Sequence, residues 1–156
     1  MPSGRTHLCI EGGILAACVV VGSVLAQQGA VSAALLAAFA SGFAFGMLFL
    51  SPDLDLSRSR PTRRWGPLSF LWWPYAKVFR HRGISHHVVW GPLTRLGYLA
   101  LVVGGMAAAI GALTGLRMTA RVPMAEVWAA IAGVYVPNVI HVAVDAVGGR
   151  LRRRRA

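Results

Sequence analysis

Residues 12–50 read GGILAACVVVGSVLAQQGAVSAALLAAFASGFAFGMLFL, and this stretch decides the fold. It runs for 39 residues without a charge, and its main polar break is the turn Gln27-Gln28-Gly29. Crossing a hydrocarbon core takes about 20 predominantly apolar residues in a helix, so the stretch predicts two membrane helices, over about 8–26 and 30–50, joined by a tight turn. Two more apolar segments predict helices over about 86–116 and 123–147 on the same length argument. Ser85 is the expected N-cap of the third, Pro123 suits the first turn of the fourth, and Gly148-Gly149 is the expected stop. The abundant Ala and Gly suit close helix packing in lipid.

Composition agrees. With 56% hydrophobic residues, 13% charged residues and a mean hydropathy of +0.58, the chain is too apolar for an ordinary soluble domain. The expected fold is all-α: a single-domain polytopic membrane protein with four transmembrane helices. A membrane-apposed cytoplasmic loop over 51–85 and a basic tail over 148–156 complete it. The aromatics Trp65, Trp72, Trp73 and Tyr75 in that loop are expected to anchor it at headgroup level.

The net charge of +11 is read first as topology. Thirteen of the sixteen basic residues fall in the N-terminal segment, the central loop and the tail, whereas Arg117 and Arg121 fall on the other side and Arg95 lies within the third helix. The positive-inside rule then puts both termini and the loop on the cytoplasmic side of the membrane, with its lipids as neighbours. Nucleic-acid binding is not expected, because no aromatic and basic residues interleave as in a stacking groove. Cys9 and Cys18 read as small apolar residues without a disulfide. Glu11, and the second apolar segment that follows, favour a retained helical hairpin over a cleaved signal peptide.

The chain has only five acidic residues and five histidines. Under this topology seven of those ten meet at one membrane face: His7, Asp53, Asp55, His81, His86, His141 and Asp145. His141 and Asp145 are one helical turn apart and share a face. Asp53 and Asp55, read as extended backbone after Pro52, are expected to point the same way. Gly83 allows a tight turn that brings His81 and His86 together. Each feature alone has a plainer reading, as a solvated terminus, a helix stop or a hydrogen-bonded pair. Their coincidence on one face points to a metal. Mixed His and Asp ligation suits Zn²⁺ first, then Mn²⁺ or Fe²⁺, as one ion or two. Glu11, one turn beyond His7, shares its face as an outer partner or ligand. His87 is expected to be exposed or an outer partner. Glu126 lies about 22 Å along the helix from His141, at the other side.

The segments Met1-Pro2-Ser3-Gly4-Arg5-Thr6-His7, Ser51-Pro52-Asp53-Leu54-Asp55, Arg63-Arg64-Trp65-Gly66-Pro67, Trp72-Trp73-Pro74-Tyr75 and His81-Arg82-Gly83-Ile84-Ser85-His86 resemble a bacterial family of metal-binding membrane proteins. That family is similar to the YdjM-like membrane-bound metal-dependent hydrolases, whose wider relatives include zinc-dependent phospholipase C and P1 nuclease. The resemblance implies a helical metallohydrolase acting on phosphoesters. The leading expectation is a hydrolase at the cytoplasmic membrane face, acting on a phospholipid or another phosphoester. Asp53 and Asp55 are its expected catalytic carboxylates, and Arg5, Arg80 and Arg82 its phosphate-binding groups. The alternatives are a membrane protein with a structural metal and a divalent-metal transporter. A transporter places its ligands near the midplane, where this sequence has almost no ionisable groups.

Overall fold

The computed structural model describes residues 3–56, 59–79, 83–84, 87–116 and 122–153, with side chains described as far as Arg150. The described residues are helical, with no strand among them. Four long helices are α1 (Gly4–Gln27), α2 (Ala33–Phe49), α5 (Trp90–Thr114) and α6 (Met124–Arg153). Between α2 and α5 lie a 3-10 turn (Pro52–Asp55), the short helix α3 (Arg60–Arg64), a second 3-10 segment (Gly66–Trp72) and α4 (Trp73–Val78).

Helices α1, α5 and α6 are long and apolar enough to cross a membrane. Helix α2 is shorter than its apolar sequence suggested. It has 17 residues, about 25 Å at 1.5 Å per residue. The reason lies at its start: Ser32 caps the helix by accepting from Leu35 N–H, and Gly29 turns the chain at φ +73°, so residues 30–32 are used in the connection.

Other boundaries differ from expectation for equally local reasons. Ser3 accepts from Thr6 N–H and starts α1 at Gly4, which places His7 within the first turn rather than before the helix. Helix α5 starts at Trp90, capped by His87, whose Nδ1 accepts from Val89 N–H and Trp90 N–H at 3.2 Å each. Ser85, the expected cap, lies outside the described residues. Gly115, at φ +71°, closes α5 as a left-handed C-cap. Helix α6 passes through Gly148-Gly149 to Arg153, so the glycine pair does not stop it.

The centre of the fold is the seam between α2 and α6. Gly42 and Gly46, one turn apart on α2, let the backbones meet: a Cβ on Gly42 would stand 2.1 Å from the Ala130 carbonyl oxygen. From the other side, a Cβ on Gly133 would stand 2.2 Å from the Phe39 carbonyl oxygen. Small residues at helical spacing on both partners give the close approach through which helices associate in lipid. Phe43, next to Gly42, is fully buried.

Helix α5 is attached differently, through polar contacts near its start. Arg95, fully buried, donates from Nε to Gly91 O at 3.0 Å and from Nη2 to Asn138 Oδ1 of α6 at 2.5 Å. Asn138 in turn donates from Nδ2 to Val88 O at 3.2 Å.

The described part of the central loop caps one end of the bundle. Trp72 and Tyr75 are 2% and 1% exposed, in a cluster with Leu50, Leu54 and Val134, so these two aromatics form core rather than an interfacial anchor. Trp73 is exposed, with the Lys77 ammonium 3.6 Å from its ring centre. Two loop side chains satisfy the last carbonyls of α2: Trp65 Nε1 donates to Phe49 O at 3.1 Å and Arg64 Nη1 to Leu48 O at 2.9 Å. A cation at a helix C-terminus also complements the macrodipole.

Candidate metal centre

The antiparallel course of the helices delivers three segments to the same end of the bundle: the first turns of α1, the 3-10 turn after α2, and the fifth and sixth turns of α6. His7 and Glu11, one turn apart on α1, both face inward and are 5% and 3% exposed. His141 on α6 is 4% exposed. Its ring stacks on that of His7, with centroids 3.9 Å apart and planes at 17°.

The stacked rings share one carboxylate. His7 Nε2 lies 3.2 Å from Asp145 Oδ1, and His141 Nε2 lies 3.8 Å from Asp145 Oδ2. Asp53 Oδ2, from the 3-10 turn, approaches His141 Nε2 at 3.9 Å. On the far side of the imidazole, His141 Nδ1 lies 3.4 Å from Glu11 Oε1. One nitrogen of His141 thus faces Glu11, while the other faces Asp145 and Asp53.

These donors fit a metal ion. Ligand atoms of His7, His141 and Asp145 all lie within 4.8 Å of one another. Tetrahedral ligands at about 2.0–2.1 Å from an ion stand about 3.3 Å apart, close to the shortest separation here. Glu11 completes a carboxylate–histidine pair of the kind that fixes the tautomer and ring orientation of a metal-ligating histidine. His7 lacks that support, since its buried Nδ1 has no hydrogen-bond partner among the described residues.

The cluster opens on a cavity of about 270 Å³, whose walls include His7, Glu11, Asp53, His141, Ser59, Arg60 and Arg64. Asp53, its side chain 34% exposed, is the most open of the four acidic and imidazole groups around His141.

Of the seven expected ligands, His7, His141, Asp145 and Asp53 therefore come together. The segment of Asp53 and Asp55 is a 3-10 turn rather than the expected extended backbone; Asp53 approaches His141, and Asp55 on the same turn is buried at 8% exposure. Burial is the main cause that pushes the Tyr75 phenol above its ordinary pKa. His81 and His86, and the expected phosphate-binding Arg80 and Arg82, lie outside the described residues. Arg5 is exposed and lines a second cavity, with Arg60, Arg63 and Arg64. Sequence reasoning misses Arg60 and Arg64, although their spacing of one helical turn after the Ser59 cap is a usable signal.

The fold and the cluster define a class: an apolar helical protein of membrane type, with a histidine and carboxylate metal-type site at one end of its bundle. The chain belongs to the DUF2227 family, described as uncharacterized metal-binding protein, whose profile matches residues 2–155. It is also similar to a protein of Aquifex aeolicus (strain VF5) that carries the description "Uncharacterized protein". The two are 51% identical over 61 residues, which is 39% of this chain and 43% of that relative. The matched segment therefore spans less than half of the relative's length. No solved structure matches the chain.

Proposed function

We propose that this protein is a membrane-embedded, metal-dependent hydrolase that acts on phosphoesters at headgroup level. The observation that carries the reading is that two of the three clustered groups, His7 and His141, line a cavity together with the more exposed Asp53. Structural zinc sites are closed by four protein ligands, whereas catalytic sites keep a position for water or substrate. In this reading His7, His141 and Asp145 hold a divalent transition metal, zinc by preference, and Glu11 orients His141. A metal so held supplies Lewis acidity toward water and a phosphoryl oxygen. Asp53, at the open side, orients the attacking water and accepts its proton. The expected contributions of Asp55, His81 and His86 belong to the same proposal, as ligands of one ion or of a second. So does the topology: four spans, with α2 as the shortest, and both termini on the cytoplasmic side of a bacterial membrane.

The second reading is a structural metal that ties α1 to α6. The low exposure of His7, Glu11 and His141 favours it. One experiment separates the two. Metal-loaded protein in detergent and in bilayers is given phospholipids and small phosphodiesters, beside an Asp53→Asn variant that still binds metal. The hydrolase reading expects metal-dependent turnover that the variant loses. Equal background rates with full metal occupancy leave the structural reading in place.

A further inference from the structure

Among the described residues, the basic groups beside the site have no acidic counterpart. Arg5, in the first turn of α1, and Arg60, Arg63 and Arg64 of α3 are all exposed and line one cavity of about 470 Å³. Arg60 and Arg64 also form part of the wall of the cavity that holds His7, Asp53 and His141. The two cavities thus share a guanidinium wall.

The five carboxylates of the chain are accounted for elsewhere. Glu11, Asp53 and Asp145 approach the stacked histidines, Asp55 is buried near Tyr75 and Arg95, and Glu126 stands at the start of α6. Among the described residues, none forms an ion pair with Arg5, Arg60, Arg63 or Arg64. Membrane topology asks only that arginines lie on one side. It does not ask that four of them, from two separate elements, converge on one open depression, where they raise the local positive potential. A bound anion would offset that potential.

The local structure is suited to holding one. The stem of Arg60 lies against the start of α1, with its Cδ 3.9 Å from the position of a Cβ on Gly4. Arg64 gives one N–H to Leu48 O, which anchors the guanidinium while its other donors remain available. Two guanidiniums one helical turn apart offer paired N–H groups to the oxygens of a single phosphate, the geometry that favours arginine over lysine at phosphate sites.

We infer that Arg60 and Arg64, with Arg5 and Arg63 around them, form a phosphate-binding subsite that seats a phosphate monoester or diester group beside the His7, His141 and Asp145 cluster. The inference builds on the hydrolase reading, because it names how that site takes its substrate, but binding itself needs neither metal nor turnover. The same chemistry serves a lipid headgroup and a free phosphoester.

The test is protection of arginine from phenylglyoxal, read residue by residue by peptide mass mapping on the full chain. Metal-stripped protein in phosphatidylcholine bilayers is modified in chloride, in inorganic phosphate at matched ionic strength, and in bilayers doped with phosphatidic acid. With phosphate about tenfold above its dissociation constant, modification of Arg60 and Arg64 should slow roughly tenfold, while Arg150 near the end of α6 is unaffected. Protection by inorganic phosphate supports the subsite with a soluble ester as its source. Protection by phosphatidic acid alone supports it with a lipid as its source. No protection from either, or equal slowing at Arg150, overturns the inference. Absence of hydrolysis by the metal-loaded protein would overturn the enzyme reading and leave a positive protection result standing.

Discussion

Replacing Gly42 by alanine tests the contact on which the site's geometry depends. The added Cβ would stand 2.1 Å from the Ala130 carbonyl oxygen and 2.8 Å from the Ala130 Cα, both backbone atoms that cannot rotate away. To reach an ordinary 3.4 Å contact, α2 and α6 must part by roughly 1.3 Å at this point, an overpacking that costs about 1–3 kcal/mol. The same separation reaches the candidate metal centre, because α6 carries His141 and Asp145 while α1, which carries His7, packs chiefly on α2. Metal ligation tolerates errors of about 0.2 Å, so metal affinity should fall together with stability. The control is Gly104→Ala in α5, where nothing lies within 4 Å of the new Cβ. It replaces glycine by the best helix former and should be neutral or stabilising by up to about 1 kcal/mol. Denaturant unfolding in detergent micelles, followed by tryptophan fluorescence, gives the stability difference, and metal content after dialysis at limiting metal gives the second readout. If Gly42→Ala matches Gly104→Ala in both, the glycine seam does not hold the site together.

Other substitutions probe single links. Glu11→Gln should lower metal affinity by about 10- to 100-fold, the usual consequence of removing the partner that orients a ligating histidine; a chelator competition measures it, and an unchanged affinity would remove Glu11 from the site. Arg95→Met should cost about 1–3 kcal/mol by leaving the buried Asn138 amide oxygen unpaired, and adding Asn138→Leu should recover part of that loss; additive costs in unfolding experiments would show that the pair does not couple α5 to α6. For topology, Leu56→Cys and Val122→Cys, each in a background lacking Cys9 and Cys18, should react with an impermeant thiol reagent from opposite faces of the membrane, and labelling of both from the same face would contradict the proposed arrangement.

Much of the fold is legible in the sequence because a long uncharged stretch has few physical solutions. Backbone groups in hydrocarbon must be paired internally, so the 39-residue stretch implies helices from its composition alone. The boundaries are less legible. Ser3, Ser32 and His87 each start a helix through a side-chain bond that depends on local backbone geometry, and Gly148-Gly149 permits a helix end without requiring one. At the site, the spacing of His141 and Asp145 and of His7 and Glu11 carries through, because a regular helix converts sequence distance into position. The backbone of Asp53 and Asp55 is less legible, since the chain after Pro52 has two short-range options and takes the 3-10 turn. Trp72 and Tyr75 defeat a sequence reading because an aromatic in a loop has the same signature whether it faces lipid headgroups or closes a core. The Arg60 and Arg64 wall depends on how a five-residue helix packs on the end of α2 and the adjoining 3-10 segments; their one-turn spacing is visible in the sequence, but that docking is not.

The central claim is that α1 and α6 build a metal site with an open position. Anomalous diffraction from crystals of the full chain, measured on both sides of the zinc, iron and manganese absorption edges, addresses it directly. The account predicts an anomalous peak between His7 Nε2, His141 Nε2 and the Asp145 carboxylate, with Glu11 behind His141 and at least one coordination position facing the cavity beside Asp53. No peak at that place in metal-replete crystals, or a peak whose ligands exclude both His7 and His141, would contradict it.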